Sequence, residues 1–409
     1  MTIRTRAVVL ALSAASVLWT VSAATAQQIP VKLGILADMG GAYSDIGGMG
    51  VVEATKLAIE DFRKRPGADK LKIDLVHADS QNKTDIAAGI ARRWIDNEGV
   101  DAILDLPTSA VALATIPVIQ EKNKVALVTA AATSDITGKS CSPNAVHWTY
   151  DTWAVSRGTA AAVTKAGGKT WFFVTADYAF GHALERDAGA VVVENGGKVL
   201  GAVRHPFENK DFASYLLQAQ GSGAQIIGLT NAGADTINTI KQAAEFGIGL
   251  DGKQKLAGML LFITDIHSLG LKVAQGLNLT TAFYWDLDEK TRDFGNRFAA
   301  RHGGRYPSMT QAGAYSSTLA YLTAVQKAGS AKDGRAVLAA MRDAGTFDDP
   351  LFGPTTLRID GRAVHRMLLL QVKKPEESKK PWDYFNVVAT IPAEEAFRPL
   401  KDGGCPLVK

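Results

Sequence analysis

The chain has 409 residues, a formal net charge of +4 and a hydrophobic fraction of 46%. This length exceeds that of a usual single core, so we expect two domains of similar size. Charges of both signs are scattered, which excludes the clustered basic face that a nucleic-acid-binding protein needs. The one local basic stretch, around Pro375, is interpreted as a solvated loop. We therefore predict no nucleic-acid partner.

The N-terminus has the features of a secretory signal peptide. Arg4 and Arg6 precede a short apolar run, which ends at Ala24-Thr25-Ala26. A basic start, a short apolar core and an Ala-x-Ala site are typical of a signal peptide rather than a membrane span. We assign residues 1–26 to this signal and expect a periplasmic mature chain. No cysteine stands at the junction, so we predict a free protein rather than a lipid-anchored one.

Two further features follow from export. No later stretch of the sequence reaches the roughly 18 apolar residues of a membrane helix, so we predict no membrane insertion. The two cysteines are Cys141 and Cys405, and an oxidising compartment favours a disulfide between them. Such a bond would close a very long loop, for which the chain-entropy model gives its largest effect. Two buried free thiols are the alternative.

After the signal, strand-length apolar runs alternate with helical patterns, as in a parallel sheet with helices on both faces. The first series predicts strands at 31–37, 71–77, 100–106 and 124–129, with helices at 50–65, 84–97 and 109–122. A break near His147–Trp153 separates it from a second series. That series predicts strands at 171–175, 198–204, 225–230 and 255–261, with helices at 182–195, 211–220 and 234–246. Two consecutive series indicate two similar α/β lobes.

The order of the elements changes after Gly276. An extended segment at 278–285 is followed by helices at 288–302, 309–328 and 332–344. The end of the chain is rich in strands, predicted at 355–359, 367–372 and 384–388. No low-complexity linker separates the halves, so we expect lobes joined by short extended crossings that act as a hinge.

Motifs that would indicate an enzyme are missing from the sequence. Gly167-Gly168-Lys169-Thr170 fails as a phosphate-binding loop, because Val163 replaces the first glycine and the strand follows the motif. No Gly-x-Ser-x-Gly elbow occurs, and none of the seven histidines has metal-ligand spacing. The glycines between positions 40 and 50 do not complete a dinucleotide fingerprint. We predict a protein that is not an enzyme, with no cofactor and no metal.

Four loops follow predicted strands at their carboxyl ends, where ligands bind in open α/β sheets. They are residues 38–49, Pro107-Thr108-Ser109, residues 130–135 and residues 176–181. Thr108, Ser109, Thr133 and Ser134 stand where helices should begin, and hydroxyl and N–H groups there suit a carboxylate. Taken singly, the pair Thr108 and Ser109 and the pair Thr133 and Ser134 are each explained by ordinary helix N-capping. Their coincidence at equivalent strand ends favours a ligand site.

With these loops in view, the chain resembles the type I periplasmic solute-binding proteins, the branched-chain amino-acid-binding-protein-like receptors of ABC importers. The resemblance rests on Val31–Gly34 and on four motifs: Gly41-Ala-Tyr-Ser-Asp-Ile-Gly47, Leu106-Pro-Thr-Ser109, Thr129-Ala-Ala-Ala-Thr133 and Asp177-Tyr-Ala-Phe-Gly181. It implies two doubly wound parallel-sheet lobes joined by a three-crossing hinge that closes on ligand. We expect residues 27–147 with 281–354 in one lobe, and 148–280 with 355–409 in the other. We predict a monomer that delivers its ligand to a membrane permease.

The resemblance also implies roles for single residues. In amino-acid-binding members, the positions matching Ser109, Ala131 and Thr133 hold the ligand carboxylate and part of the amino group, and Thr108 lies beside them. Tyr178 or Phe180 would close over the ligand from the second lobe, where Asn231 completes the cleft. Tyr43 and Ile46 would line the wall of the first lobe.

One departure from the family bears on the ligand. Amino-acid binders place an acid after the strand equivalent to 255–261, but here the segment reads Ala257-Gly-Met-Leu-Leu-Phe262, with no acid before Asp265. A buried ammonium without a counter-charge is costly. Either Asp265 reaches the ligand or the ligand has no α-amino group, and we favour the second. Leu260 and Phe262 would then form an apolar wall for a benzoate- or cinnamate-like acid.

Three other interpretations remain open at this point. The same fold could bind a branched-chain or other aliphatic amino acid. The protein could present its ligand to a membrane sensor instead of a transporter. An exported hydrolase is the weakest alternative.

Overall fold

The structure is a computed structural model that describes residues 28–249 and 254–409. The predicted signal peptide, residues 1–26, lies outside the described residues. Within the described ranges, no helix combines the length and apolar character needed to cross a membrane.

A five-stranded parallel sheet forms the centre of the first lobe, in the order β2-β1-β3-β4-β5. Its strands are β1 (Ile29–Ala37), β2 (Leu71–Asp79), β3 (Ala102–Asp105), β4 (Val125–Val128) and β5 (Ala145–His147). The helices between them are α1 (Gly48–Arg63), α2 (Thr84–Glu98) and α3 (Ser109–Glu121). All residues of β3 and β4 are buried, as expected for strands covered by helices on both faces.

The second lobe contains a four-stranded parallel sheet in the order β7-β6-β8-β9. Its strands are β6 (Thr170–Ala176), β7 (Lys198–His205), β8 (Ile226–Thr230) and β9 (Lys255–Gly258). The helices of this region are α4 (Thr152–Lys165), α5 (Ala179–Glu194), α6 (Ala213–Gly221), α7 (Ala234–Glu245), α8 (Ile263–Leu269) and α9 (Leu271–Ala274).

The remaining elements return to both lobes. Helices α10 (Glu289–Arg301) and α11 (Met309–Ala328) pack on α1, and α12 (Gly334–Arg342) packs on β4 and α11. Strands β10 (Asn278–Thr281), β14 (Met367–Val372) and β15 (Phe385–Ile391) form an antiparallel sheet that contacts α4. A second antiparallel sheet contains β11 (Thr346–Asp349), β12 (Gly353–Leu357) and β13 (Ala363–Val364), and a short helix α13 (Ala393–Ala396) precedes the C-terminus.

The prediction of two α/β lobes with parallel sheets is confirmed, although several element bounds differ from those predicted. Helix α4 begins at Thr152, inside the stretch interpreted as a break, because the Asp151 carboxylate accepts a hydrogen bond from the Ala154 N–H at 2.8 Å. The strand-rich C-terminal part forms antiparallel sheets beside the two parallel ones. The division of the chain into lobes after residues 147, 280 and 354 stays a prediction.

The predicted disulfide between Cys141 and Cys405 is confirmed. The two sulfur atoms are bonded, and the residues are 264 positions apart in the chain. Nearby, the Arg398 guanidinium donates to the Ser134 carbonyl at 2.9 Å. The C-terminal tail is therefore attached to the loop that follows β4.

Candidate functional site

A small cavity lies between the two lobes, at the carboxyl ends of strands from both parallel sheets. Loops after seven strands supply its lining: Tyr43, Ile46, Gly47, Asp105, Pro107, Thr108, Ser109, Ala130, Ala132, Tyr150, Tyr178, Phe180, Ala232, Leu260 and Phe262.

The loop after β1 is held in place from two sides. The Asp38 carboxylate accepts hydrogen bonds from the N–H groups of Gly41 at 2.6 Å and Tyr43 at 2.8 Å. At the start of α11, the hydroxyls of Ser308 and Thr310 each donate to the Ile46 carbonyl at 2.6 Å. Tyr43 and Ile46 are therefore presented to the cavity by a pre-organised loop.

Gly50 of α1 leaves room for the Gln311 side chain of α11. A Cβ atom at Gly50 would lie only 2.1 Å from the side-chain nitrogen of Gln311. That nitrogen donates to the Gly47 carbonyl at 3.1 Å. The position of Gly47 at the cavity wall thus follows from the packing of α1 against α11.

The amino end of helix α3 forms a polar end of the cavity. The Thr108 hydroxyl accepts a hydrogen bond from the Val111 N–H at 3.2 Å, so Thr108 is the N-cap of this helix. The Ser109 hydroxyl accepts the Thr133 N–H at 3.0 Å and keeps its own proton for donation. The first N–H groups of a helix have no partner within the helix. This end of the cavity is suited to a carboxylate.

Aromatic side chains form the opposite walls. The hydroxyls of Tyr43 and Tyr178, one from each lobe, are 2.5 Å apart. The Phe207 ring lies beside both, with centroid distances of 5.4 Å and 5.2 Å. Deeper in the cavity, Tyr150 meets Phe262 edge to face at 6.1 Å. An acid with an apolar or aromatic body would contact rings on several sides.

The lobes also touch through their backbones. The Ala234 N–H donates to the Ala42 carbonyl at 3.4 Å, next to the tyrosine pair. On another side, the Ser134 hydroxyl donates to the Asp187 carboxylate at 2.7 Å. The structure therefore represents a closed arrangement of the two lobes.

Most of the predicted site residues lie together in the lining. They are Tyr43, Ile46, Thr108, Ser109, Tyr178, Phe180, Leu260 and Phe262. Their role in binding a ligand stays a prediction. Three other predicted residues, Ala131, Thr133 and Asn231, are not among the lining residues.

Each of these three has a hydrogen-bond partner within the protein, and its role in ligand binding stays a prediction. The Ala131 N–H donates to the Leu106 carbonyl at 3.1 Å, so this donor is already paired. The Thr133 hydroxyl accepts from the Asp135 N–H at 3.3 Å, which is the capping alternative. The Asn231 amide bonds to the hydroxyls of two threonines of α7, Thr236 and Thr239, at 2.7 Å and 3.1 Å.

Sequence reasoning missed two polar residues of the lining, Tyr150 and Asp105. The Tyr150 hydroxyl donates to the Ala130 carbonyl at 2.6 Å. Asp105 ends β3 and is 0% exposed, and its Oδ1 accepts the Thr129 hydroxyl at 3.0 Å. Burial raises the pKa of Asp105 to about 7. An acid within the apolar run of β3 was the signal that could have identified it.

The acid that the sequence did single out, Asp265, has a different task. Its carboxylate accepts a hydrogen bond from the Phe262 N–H at 2.9 Å at the start of α8. Asp265 is not among the cavity-lining residues, although burial raises its pKa to about 7 as well. It holds the backbone of a wall residue instead of reaching into the cavity.

Comparison with known proteins agrees with this architecture. The sequence profile of the family described as "Periplasmic binding protein" matches residues 30–379. A crystal structure of a periplasmic binding protein from Burkholderia mallei is 49% identical, covers 93% of this chain and 100% of its own, and superposes with a TM-score of 0.88. A branched chain amino acid ABC transporter periplasmic ligand-binding protein from Burkholderia xenovorans is 44% identical, with coverage of 93% and 100% and a TM-score of 0.81.

A curated relative is more distant. Leu/Ile/Val-binding protein homolog 6 from Brucella melitensis is 25% identical over 344 residues, which cover 81% of this chain and 85% of the relative. Two lobes, a cavity between them and a family match over most of the length define a solute-binding receptor of the type that serves ABC transporters. The chain belongs to the periplasmic binding protein family.

Proposed function

We propose that this protein captures a small organic acid with an aromatic or aliphatic body and delivers it to an ABC importer. The observation that carries the proposal is the cavity itself, in which the amino end of α3 and Ser109 face a space walled by aromatic rings. A helix N-terminus favours an anionic group, and rings favour an apolar body. The role is binding and delivery, with no chemical step.

A ligand panel tests this proposal directly. The full-length mature protein is mixed with benzoate, 3-phenylpropanoate, 4-methylpentanoate, L-leucine and L-phenylalanine, and thermal unfolding is followed. A ligand that binds the folded state at 100 times its Kd stabilises it by about 2.7 kcal/mol. We expect at least one acid to raise the Tm, and the corresponding amide, which lacks the charge, to raise it much less. Equal shifts with acid and amide would contradict carboxylate recognition.

A second candidate ligand class is an aliphatic amino acid. The related protein from Burkholderia xenovorans, 44% identical, is described as a branched chain amino acid ABC transporter ligand-binding protein. L-leucine and L-phenylalanine belong to the panel for this reason. The importer itself is tested by uptake: cells that lack this protein should lose uptake of the acid identified by the panel, whereas a sensor role would leave uptake intact.

A further inference from the structure

The unexplained feature of the cavity is the side chain of Asp105. One oxygen, Oδ1, accepts the Thr129 hydroxyl, whereas Oδ2 is buried and has no hydrogen-bond partner among the described residues. A buried polar atom without a partner costs free energy, and a carboxylate oxygen costs more than most. Because Asp105 also lines the cavity, a ligand is the group placed to satisfy it.

The charges around Asp105 define the missing partner. The cavity lining, taken from the described residues, contains no lysine, arginine or histidine. Asp105 interacts electrostatically with another acid, Asp38, and with a tyrosine, Tyr150. Neither supplies a positive charge. When Asp105 is ionised, a purely anionic ligand would bring a second negative charge into the same buried space, which is unfavourable.

From this arrangement we propose that Asp105 is a ligand-binding carboxylate and that the ligand is a zwitterion. Its carboxylate lies at Ser109 and the amino end of α3, and its protonated amine pairs with Oδ2 of Asp105. This inference rests on the proposed function, because it uses the same cavity and the same carboxylate site. The sequence offered Asp265 of the second lobe as a partner for an amine, but its carboxylate accepts the Phe262 N–H. The inferred partner is instead Asp105, at the end of β3 in the first lobe.

Matched ligand pairs test the amine, and two aspartate variants test its partner. Isothermal titration measures L-leucine against 4-methylpentanoate, L-phenylalanine against 3-phenylpropanoate, and 4-(aminomethyl)benzoate against 4-methylbenzoate. The members of each pair differ only in the amino group. The first two pairs carry the amine next to the carboxylate and the third carries it across the ring, so the preferred pair reports which of these two separations the site accepts. The proteins are wild type, Asp105→Asn and Asp265→Asn.

We expect wild type to bind the aminated member of at least one pair tenfold or more tightly than its partner. Asp105→Asn should lose at least tenfold for the aminated member and change less than threefold for the other. Asp265→Asn tests the alternative partner for the amine. Because the Asp265 carboxylate bonds to the Phe262 backbone outside the lining, this variant should keep the wild-type preference within each pair even if its affinity for both members falls.

The two proposals fail in different ways. If wild type binds acids but prefers the members without an amine, or if Asp105→Asn keeps the wild-type preference, the role of Asp105 is overturned and carboxylate capture stands. If no member of any pair binds to wild type, the proposed function fails and the inference fails with it. Circular dichroism of Asp105→Asn distinguishes loss of the amine contact from loss of the fold.

Discussion

At the scale of single residues, some polar groups of the cavity suit a negative group of a ligand and another suits a positive group. Ser109 and the first N–H groups of α3 suit a negative group, while Asp105, a few residues earlier at the end of β3, has one oxygen without a partner among the described residues. Asp105 and Leu106 both have positive φ angles, 79° and 57°. Aspartate tolerates this left-handed region better than most residues, which permits an acid at this strand end.

Replacing Ser109 tests the carboxylate end of the cavity. Ser109→Ala removes a hydroxyl that would donate to a charged group, a bond worth about 1.5–3 kcal/mol, so we expect affinity for the acid to fall roughly 13- to 160-fold. Titration calorimetry measures this loss. Ser317→Ala is the control, because Ser317 is a buried serine of α11 that lies outside the cavity lining. Unchanged affinity in Ser109→Ala would remove Ser109 from the site.

The ionisation of Asp105 predicts a pH dependence of the ligand-free protein. Burial raises its pKa to about 7 in the folded state, against about 3.9 in the unfolded chain. Between these two pKa values, the folded state binds a proton at Asp105 that the unfolded chain has released. The free energy of unfolding that this proton contributes is present at low pH and is lost as the pH rises through 7. Asp105→Asn does not titrate, so we expect it to be more stable than wild type at pH 8.

Denaturant unfolding of both proteins at pH 4, 6 and 8 measures this effect. The gain for Asp105→Asn should be roughly 1–4 kcal/mol at pH 8 and should vanish near pH 4. Asp235 and Asp265, whose pKa values burial also raises to about 7, titrate in both proteins and cancel in the difference. A difference that does not vary with pH would show that Asp105 ionises freely.

At the scale of elements, the C-terminal tail depends on a link to the first lobe. The disulfide joins Cys405 to Cys141, and Arg398 adds a hydrogen bond to the Ser134 carbonyl. Ser134 itself donates to Asp187 on α5 of the other lobe. The tail thus supports a loop that takes part in the contact between the lobes.

Removal of the disulfide should lower stability strongly. The bond spans 264 residues, so the unfolded chain gains much conformational freedom when the bond is cut, and loss of a native disulfide costs about 2–5 kcal/mol. Thermal unfolding of the Cys141→Ser/Cys405→Ser double variant, compared with wild type under oxidising conditions, measures this loss. Dithiothreitol should lower the Tm of wild type and leave that of the double variant unchanged. Equal Tm values for the two oxidised proteins would contradict the prediction.

At the scale of the whole molecule, the contact between Tyr43 and Tyr178 favours the closed arrangement. Their hydroxyls are 2.5 Å apart across the cleft, and Phe207 packs beside both rings. A ligand that fills the cavity stabilises the closed form through contacts with both lobes, and the equilibrium shifts only by that difference in affinity. The tyrosine pair contributes to the same equilibrium without touching the carboxylate end.

Deleting the Tyr178 hydroxyl should therefore weaken closure. Tyr178→Phe removes a hydrogen bond worth about 0.5–1.5 kcal/mol, so we expect the Kd for the acid to rise roughly 2- to 13-fold. Small-angle X-ray scattering should show that the variant needs more ligand than wild type to reach the compact form. Tyr215→Phe is the control, since Tyr215 packs against His205 and lies outside the cavity lining. The same closure curve for Tyr178→Phe and wild type would contradict this role.

The predictability of the site also differs from residue to residue. Ser109, Tyr43 and Tyr178 were predictable because strand ends converge in an α/β sheet, whatever the details of packing. The pairing of the Ala131 N–H with the Leu106 carbonyl was not predictable, because this bond joins two loops that are apart in the sequence. The bonds of Asn231 to Thr236 and Thr239 are close in sequence, but they depend on side-chain conformations that the sequence pattern does not specify.

The amino-acid sequence by itself determined the two α/β lobes and the disulfide. Apolar periodicity and turn residues act locally, and the pairing of two cysteines follows from the predicted compartment. Only the tertiary structure decided the charge of the cavity. In the sequence, Asp105 looks like any polar residue buried in an apolar strand. Asp265 follows a strand of the second lobe, which is where a partner for an amine was expected. Which carboxylate faces the cavity depends on the partners that folding provides: Phe262 for Asp265, and Thr129 for a single oxygen of Asp105.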